Sequence, residues 1–113
     1  MKNLLIIFIS SLLMASCTFE KAQPLPVGCT TTIFYATDIQ PMINSKCVSC
    51  HTAGGTGTGD FTSYTGLKAK AESGSLNTRV FVLKDMPPAG NPQLTEDELS
   101  KLKCWIEQGA PNN

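Results

Sequence analysis

Cys47-Val48-Ser49-Cys50-His51 sets two thiols three positions apart and places an imidazole directly after the second. Two intervening residues let both sulfurs reach one edge of a planar macrocycle, and the next side chain then falls beneath its centre. Both thiols can add across vinyl groups as thioethers, and the imidazole can bind a metal. This C-x-x-C-H run is the attachment signature of c-type haem. His51 is the only histidine in the chain, so it has no competitor as an axial ligand. Two other chemistries use similar spacing. A thioredoxin-like dithiol site expects a strand-to-helix setting and a low-pKa thiol, whereas the residues before Cys47 read as a helix. A structural zinc site needs four ligands, and this run supplies three unless a distant cysteine joins.

The chain start is a second signal. Lys2 precedes an apolar stretch, Leu4 to Ala15, interrupted only by Ser10 and Ser11. It is shorter than the roughly 20 apolar residues of a membrane-spanning helix and fits the apolar region of a secretory signal peptide. Leu13-Met14-Ala15-Ser16-Cys17 resembles the lipobox of bacterial lipoproteins, with Met14 where leucine is usual. That resemblance implies removal of residues 1–16 and lipidation of Cys17; the alternative is an ordinary cleaved signal peptide that leaves a cysteine nearby. Each buried acyl methylene contributes about 0.8 kcal/mol, so two or three chains anchor a protein stably. Residues 17–34, with Pro24 and Pro26, read as a tether, and residues 35–113 as one small domain whose apolar core is marginal by itself.

Nine basic side chains balance nine acidic ones, so no concentrated basic face points to nucleic acid. Cysteine use is more telling. With Cys17 assigned to lipid and Cys47 and Cys50 to haem, Cys29 and Cys104 are left over. In an oxidising compartment such a pair most often forms a disulfide; two free thiols, or a link to another protein, are the alternatives.

The domain reads as helices and loops. Asp38 can cap a helix with Pro41 in its first turn and an apolar face of Ile39, Met42 and Ile43. Residues 54–59 alternate Gly and Thr and form an irregular loop. Phe61–Glu72 suits a second helix ended by Ser73-Gly74. Leu76–Leu83 reads as a short helix with Leu76, Val80 and Leu83 on one face, although Val80-Phe81-Val82 has strand propensity. The last helix is signalled by a capping box, Thr95 with Glu98, a staple of Leu94 and Leu99, and a stop at Gly109 and Pro111. Turning 100° per residue puts Leu99, Leu102, Trp105 and Ile106 on one stripe and Cys104 nearly opposite.

Met86, 35 residues beyond His51 and followed by Pro87-Pro88, is the expected sixth iron ligand, because two prolines hold an extended loop from which a thioether can point at iron. Its alternative role is core filling. Met42 sits on the helix entering the attachment run and is poorly placed for the opposite face. Trp105 packs against haem or the first helix, or is plain core. Arg79 pairs a haem propionate or is a solvated surface arginine. Lys68, Lys70, Lys101 and Lys103 serve partner docking or are soluble surface.

The order of helix, C-x-x-C-H, glycine loop, helices, Met-Pro-Pro and terminal helix resembles the small monohaem c-type cytochromes. Asp38-Ile39-Gln40-Pro41, Met86-Pro87-Pro88 and Cys104-Trp105-Ile106-Glu107-Gln108-Gly109-Ala110-Pro111 are similar to lipid-anchored cytochrome domains of bacterial envelopes. The resemblance covers about residues 35–111. It implies an all-α fold of about four short helices around one covalent haem c, with the first and last helices crossing. It also implies a non-enzymatic electron carrier, lipid-anchored outside the cytoplasm, that serves redox partner proteins of the envelope from a periplasm-facing or outer membrane. The alternative is a haem-based sensor or peroxidatic protein in which Met86 leaves the iron.

Overall fold

Pro41 decides how the first helix begins. It has no amide hydrogen to return to the preceding turn, and its ring crowds the carbonyl four residues earlier. In the computed structural model, which describes residues 28–113, the chain answers with a wide π-helical turn over Tyr35–Ile39. There the Ile39 amide donates to the Phe34 carbonyl and the Gln40 amide to that of Tyr35, each five residues back. Helix α1 follows over Gln40–Lys46, with Pro41 in its first turn. Asp38 is therefore not the cap: the helix starts earlier, after Phe34. The Asp38 carboxylate instead reaches back from inside the first turn and accepts the Phe34 amide at 2.9 Å, satisfying a donor that the helix cannot. Ile39, Met42 and Ile43 are buried, as their spacing predicts.

Helix α2 spans Tyr64–Glu72 and starts three residues later than its sequence pattern suggests. The Asp60 carboxylate accepts the Thr62 amide and so makes a turn, and Ser63 then caps the helix by accepting the Gly66 amide at 3.3 Å. Gly66 is required here, because a Cβ would run into the Asp60 carbonyl oxygen. Gly74 takes a left-handed conformation (φ 76°) and ends this unit. Helix α3, Ser75–Asn77, passes directly into a second π-helical turn, Thr78–Val82. The segment is helical, as expected, but Leu83 is not on its buried face. A π turn rotates less per residue than an α turn, so Leu76 and Val80 stay inside while Leu83 is carried out to 58 % exposure.

Helix α4, Glu96–Glu107, has its capping box complete. Thr95 Oγ1 accepts the Glu98 amide at 3.2 Å, and the Glu98 carboxylate accepts the Thr95 amide at 2.8 Å. Leu102 and Trp105 are fully buried, with Leu99 and Ile106 half-buried beside them. Trp105 lies against Tyr35 with ring centroids 5.9 Å apart, and Tyr64 packs edge-on to Tyr35 at 5.0 Å. The first and last helical units therefore meet, with α2 locked to the same aromatic group. The described residues contain helices and no strand, and none of these helices is long and apolar enough to cross a membrane.

Residues 28–34, read from sequence as the end of the tether, lie along α4. Cys29 is disulfide-bonded to Cys104, with Cα atoms 5.6 Å apart. Gln108 holds the same strap from both sides: its carbonyl oxygen accepts the Ile33 amide at 3.0 Å, and its amide donates to the Thr31 carbonyl at 2.9 Å. Cys29 and Ile33 are buried, so this part of the chain packs with the domain. The leader 1–16, Cys17 and the tether to residue 27 lie outside the described residues.

The bond spans 75 positions, and closing a loop of that length restricts the unfolded chain strongly. Replacing both Cys29 and Cys104 by alanine is expected to lower unfolding free energy by about 2–5 kcal/mol. Chemical denaturation of the purified protein with and without the substitutions measures this, and matching midpoints would contradict it.

Candidate functional site

The Cys47 amide bonds the Ile43 carbonyl and closes α1, after which the backbone turns sharply. The amides of Cys50 and His51 both donate to the Cys47 carbonyl, at 3.2 and 2.9 Å. This tight turn is what three-residue spacing requires if two thiols are to face one space. Both thiols are free and half-buried.

The glycine loop then folds around His51. The Gly57 amide donates to the Cys50 carbonyl at 2.9 Å, and the Phe61 amide donates to the His51 carbonyl at 2.8 Å. His51 Nδ1 lies 3.0 Å from the Thr58 carbonyl oxygen. A carbonyl can only accept, so Nδ1 carries the proton and Nε2 keeps its lone pair for a ligand bond. The Phe61 ring stacks on the imidazole at 4.3 Å and 7°. On another side Gly57 presses close: a Cβ there would stand 2.6 Å from His51 Nδ1 and Cε1. Thus the tautomer, tilt and position of the imidazole are all set by the neighbouring loop.

These groups border a cavity of about 560 Å³, within the range of roughly 300–1,000 Å³ common for small-molecule and cofactor sites. Cys47, Cys50, His51, Met86 and Arg79 all line it. Ile43, Leu76, Val80, Leu94 and Leu102 supply apolar wall from several elements. Met86 is half-buried on the Met-Pro-Pro segment, and Pro87 and Pro88 line the same space. Met42 lies instead in the packed core.

The structure places two residues that the sequence left with alternatives. Trp105 does not line the cavity. It sits under the first helix, its indole N–H donating to the Pro111 carbonyl at 3.0 Å, while Leu102, one turn earlier, forms the α4 part of the wall. Arg79 lines the cavity from an exposed position, and its Nε donates to Asp85 at 2.7 Å. The lysines expected either to dock partners or to be plain surface divide similarly. Lys68, Lys101 and Lys103 pair with carboxylates one helical turn away, and Lys70 alone of the four reaches the cavity wall. Thr58 and Phe61 were not singled out as site residues. The only signal for them was the length of the glycine loop, which returns the chain to His51.

Electrostatics bear on the dithiol alternative. Burial chiefly, and the Glu98 carboxylate secondarily, push the free Cys47 thiol up to about 11. It is protonated at neutral pH, whereas attacking thiols of disulfide oxidoreductases are shifted downward. For zinc, no group of three or more His, Cys, Asp or Glu side chains is gathered to hold a metal ion among the described residues. No family model, curated protein or solved structure matches this chain.

Gly57→Ala should destabilise the protein by about 1–3 kcal/mol, the range for overpacking a filled site. Gly57 has no left-handed conformation to lose, so this cost would come from the His51 contact. Gly90→Ala provides contrast, since a Cβ at Gly90 meets nothing within 4 Å and only its positive φ resists the change. Urea unfolding of both variants reads the difference, and a Gly57→Ala midpoint equal to wild type would refute the tight packing.

Proposed function

We propose that this chain is an electron carrier resembling the small monohaem c-type cytochromes, with haem c bound through thioethers at Cys47 and Cys50. His51 and Met86 would hold its iron, and lipid on Cys17 would tether it to the bacterial envelope. One observation carries the reading: a single cavity is lined by both free thiols, the chain's only imidazole and Met86. The donor set fits the group. The thiols of Cys47 and Cys50 stand in one cavity with an imidazole whose Nδ1 is committed to the Thr58 carbonyl, leaving Nε2 to meet a ligand.

When bound, haem supplies one-electron exchange between ferrous and ferric iron. The residues of the chain provide everything else. Cys47 and Cys50 fix the cofactor irreversibly. Thr58, Phe61 and Gly57 hold the His51 ring and its proton, so the ligand need not reorient when charge changes. Met86 supplies a thioether, which favours the ferrous form and raises the potential. Ile43, Leu76, Val80 and Leu102 keep water from the cavity wall. His51 and Met86 would together hold the iron, and a centre so held would suit transfer of electrons better than catalysis.

Expression with a c-type maturation system tests the reading. Intact mass should show one covalently added haem, lost in Cys47→Ala/Cys50→Ala, and the spectrum should be low-spin. Met86→Ala should abolish the His/Met spectral features and let carbon monoxide bind the reduced protein without denaturant. A matured wild type that carries no haem would sink the proposal. Carbon monoxide binding to untreated wild type would instead favour a sensor or peroxidatic protein.

A further inference from the structure

Among the described residues, five cations are engaged by carboxylates: Lys46 by Glu98, Lys68 by Glu72, Arg79 by Asp85, Lys101 by Asp97 and Lys103 by Glu107. Lys70 and Lys84 have no such partner. Lys84 is exposed, whereas Lys70 is half-buried and stands in the wall of the cavity that holds Cys47, Cys50 and His51. The titratable groups on that wall are Lys46, Lys70, Arg79, His51 and the two thiols, and no aspartate, glutamate or tyrosine lines it. The cavity is thus one-sided in charge, and its one cation without a protein carboxylate is Lys70.

Lys70 is also held in place. It lies in the last turn of α2, one position before the buried Ala71 and three after the fully buried Leu67. Its methylene stem lies over Gly59, where a Cβ would approach Lys70 Cε to 2.9 Å and Cγ to 3.7 Å. The same loop carries Thr58 and leads to Phe61, which stacks on His51. Ser73 and Ser75, hydrogen-bonded to each other at 3.0 Å, line the wall just beyond it.

We propose that Lys70, rather than Arg79, is the counter-ion for an ionised carboxylate of the ligand that fills this cavity. The proposal rests on the haem reading, in which the carboxylates are the two propionates. A carboxylate in a half-enclosed site stays ionised only beside an opposite charge or strong donors. Arg79 directs its Nε to Asp85 at 2.7 Å in an exposed ion pair, and Lys46 is shared between Glu98 at 4.0 Å and the Gln93 carbonyl at 3.0 Å. Lys70 has its charge to give. It is a positioning residue, acting on the ligand's carboxylate and through it on the iron.

The test is the midpoint potential of the matured holoprotein against pH. Ferric iron bears one more positive charge than ferrous, so a carboxylate nearby makes the potential slope wherever it titrates. With Lys70 in place the carboxylate stays ionised, and wild type should be flat from about pH 6 to 8. Lys70→Gln should bring a slope into that window by raising the carboxylate's titration by about one pH unit or more. Lys70→Arg should restore flatness, and Lys84→Gln, outside the cavity, should leave it unchanged. A Lys70→Gln profile superimposable on wild type overturns the proposal, as does a slope introduced by Arg79→Gln and not by Lys70→Gln. If Lys70→Gln does not mature, infrared difference spectra of wild type decide: a protonated carboxyl band from the cofactor between about pH 6 and 8 overturns the assignment. Haem absent from wild type strikes the functional reading itself, whereas haem present with an unaltered Lys70→Gln profile strikes only this inference.

Discussion

The packing of Trp105 against Tyr35 is the contact on which the rest depends. Trp105 has no solvent exposure, its ring lies 5.9 Å from that of Tyr35, and large aromatic side chains carry much of the apolar burial in a small core. Because Trp105 belongs to α4 and Tyr35 to the first helical turn, their contact sets how these units cross. The polar atoms around them are satisfied by one short stretch of chain. Trp105 donates to Pro111, Tyr64 donates to Ala110, and Asn113 exchanges bonds with Ile33 and Tyr35. With that crossing set, α1 can run in only one direction, and its end delivers Cys47 to the cavity.

The cavity depends on a second device, the return of the glycine loop. Two backbone bonds, from the Gly57 and Phe61 amides, and one from the His51 ring to the Thr58 carbonyl join the loop to the turn it encircles. None of them needs a particular side chain at Thr58. Specificity comes from geometry: Gly57 is small enough to stand against the imidazole, and Phe61 is flat enough to stack on it. The imidazole is oriented by the chain itself, so a ligand meeting it would find the ring pre-set, and little ordering would remain for binding.

Features written in adjacent residues were legible from sequence. The capping box at Thr95 and Glu98, the stripe through Leu102 and Trp105 and the stop at Gly74 all appear as read, because each is settled within a few positions. Cys29 and Cys104 were paired by counting cysteines, and the strap along α4 brings them together. What sequence missed involved competition between neighbours. Asp38 looks like a cap, but Pro41 widens the turn and moves the start back to Phe34. Leu83 fits a regular helical face, but the π turn rotates it outward. Trp105 and Leu102 share a stripe, and only tertiary packing separates the one under the first helix from the one facing the cavity. The pairing of Arg79 with Asp85 was not legible because Asp85, six residues on, lies outside any helical pairing rule. Lys70 was indistinguishable from its neighbours for the same reason.

The disulfide has a mechanical consequence. Any pull on the chain ahead of Cys29 enters the domain at that residue and passes through the sulfur bridge into the last turn of α4. The shortest covalent path of the force therefore bypasses Phe34, Tyr35, α1 and the turn holding Cys47, Cys50 and His51. A protein hung from its N-terminal side could be tugged, sheared or dragged along a surface while the geometry of its cavity stays slack. The bridge acts as a strain relief, like a cable clamp that takes the load before it reaches the contacts.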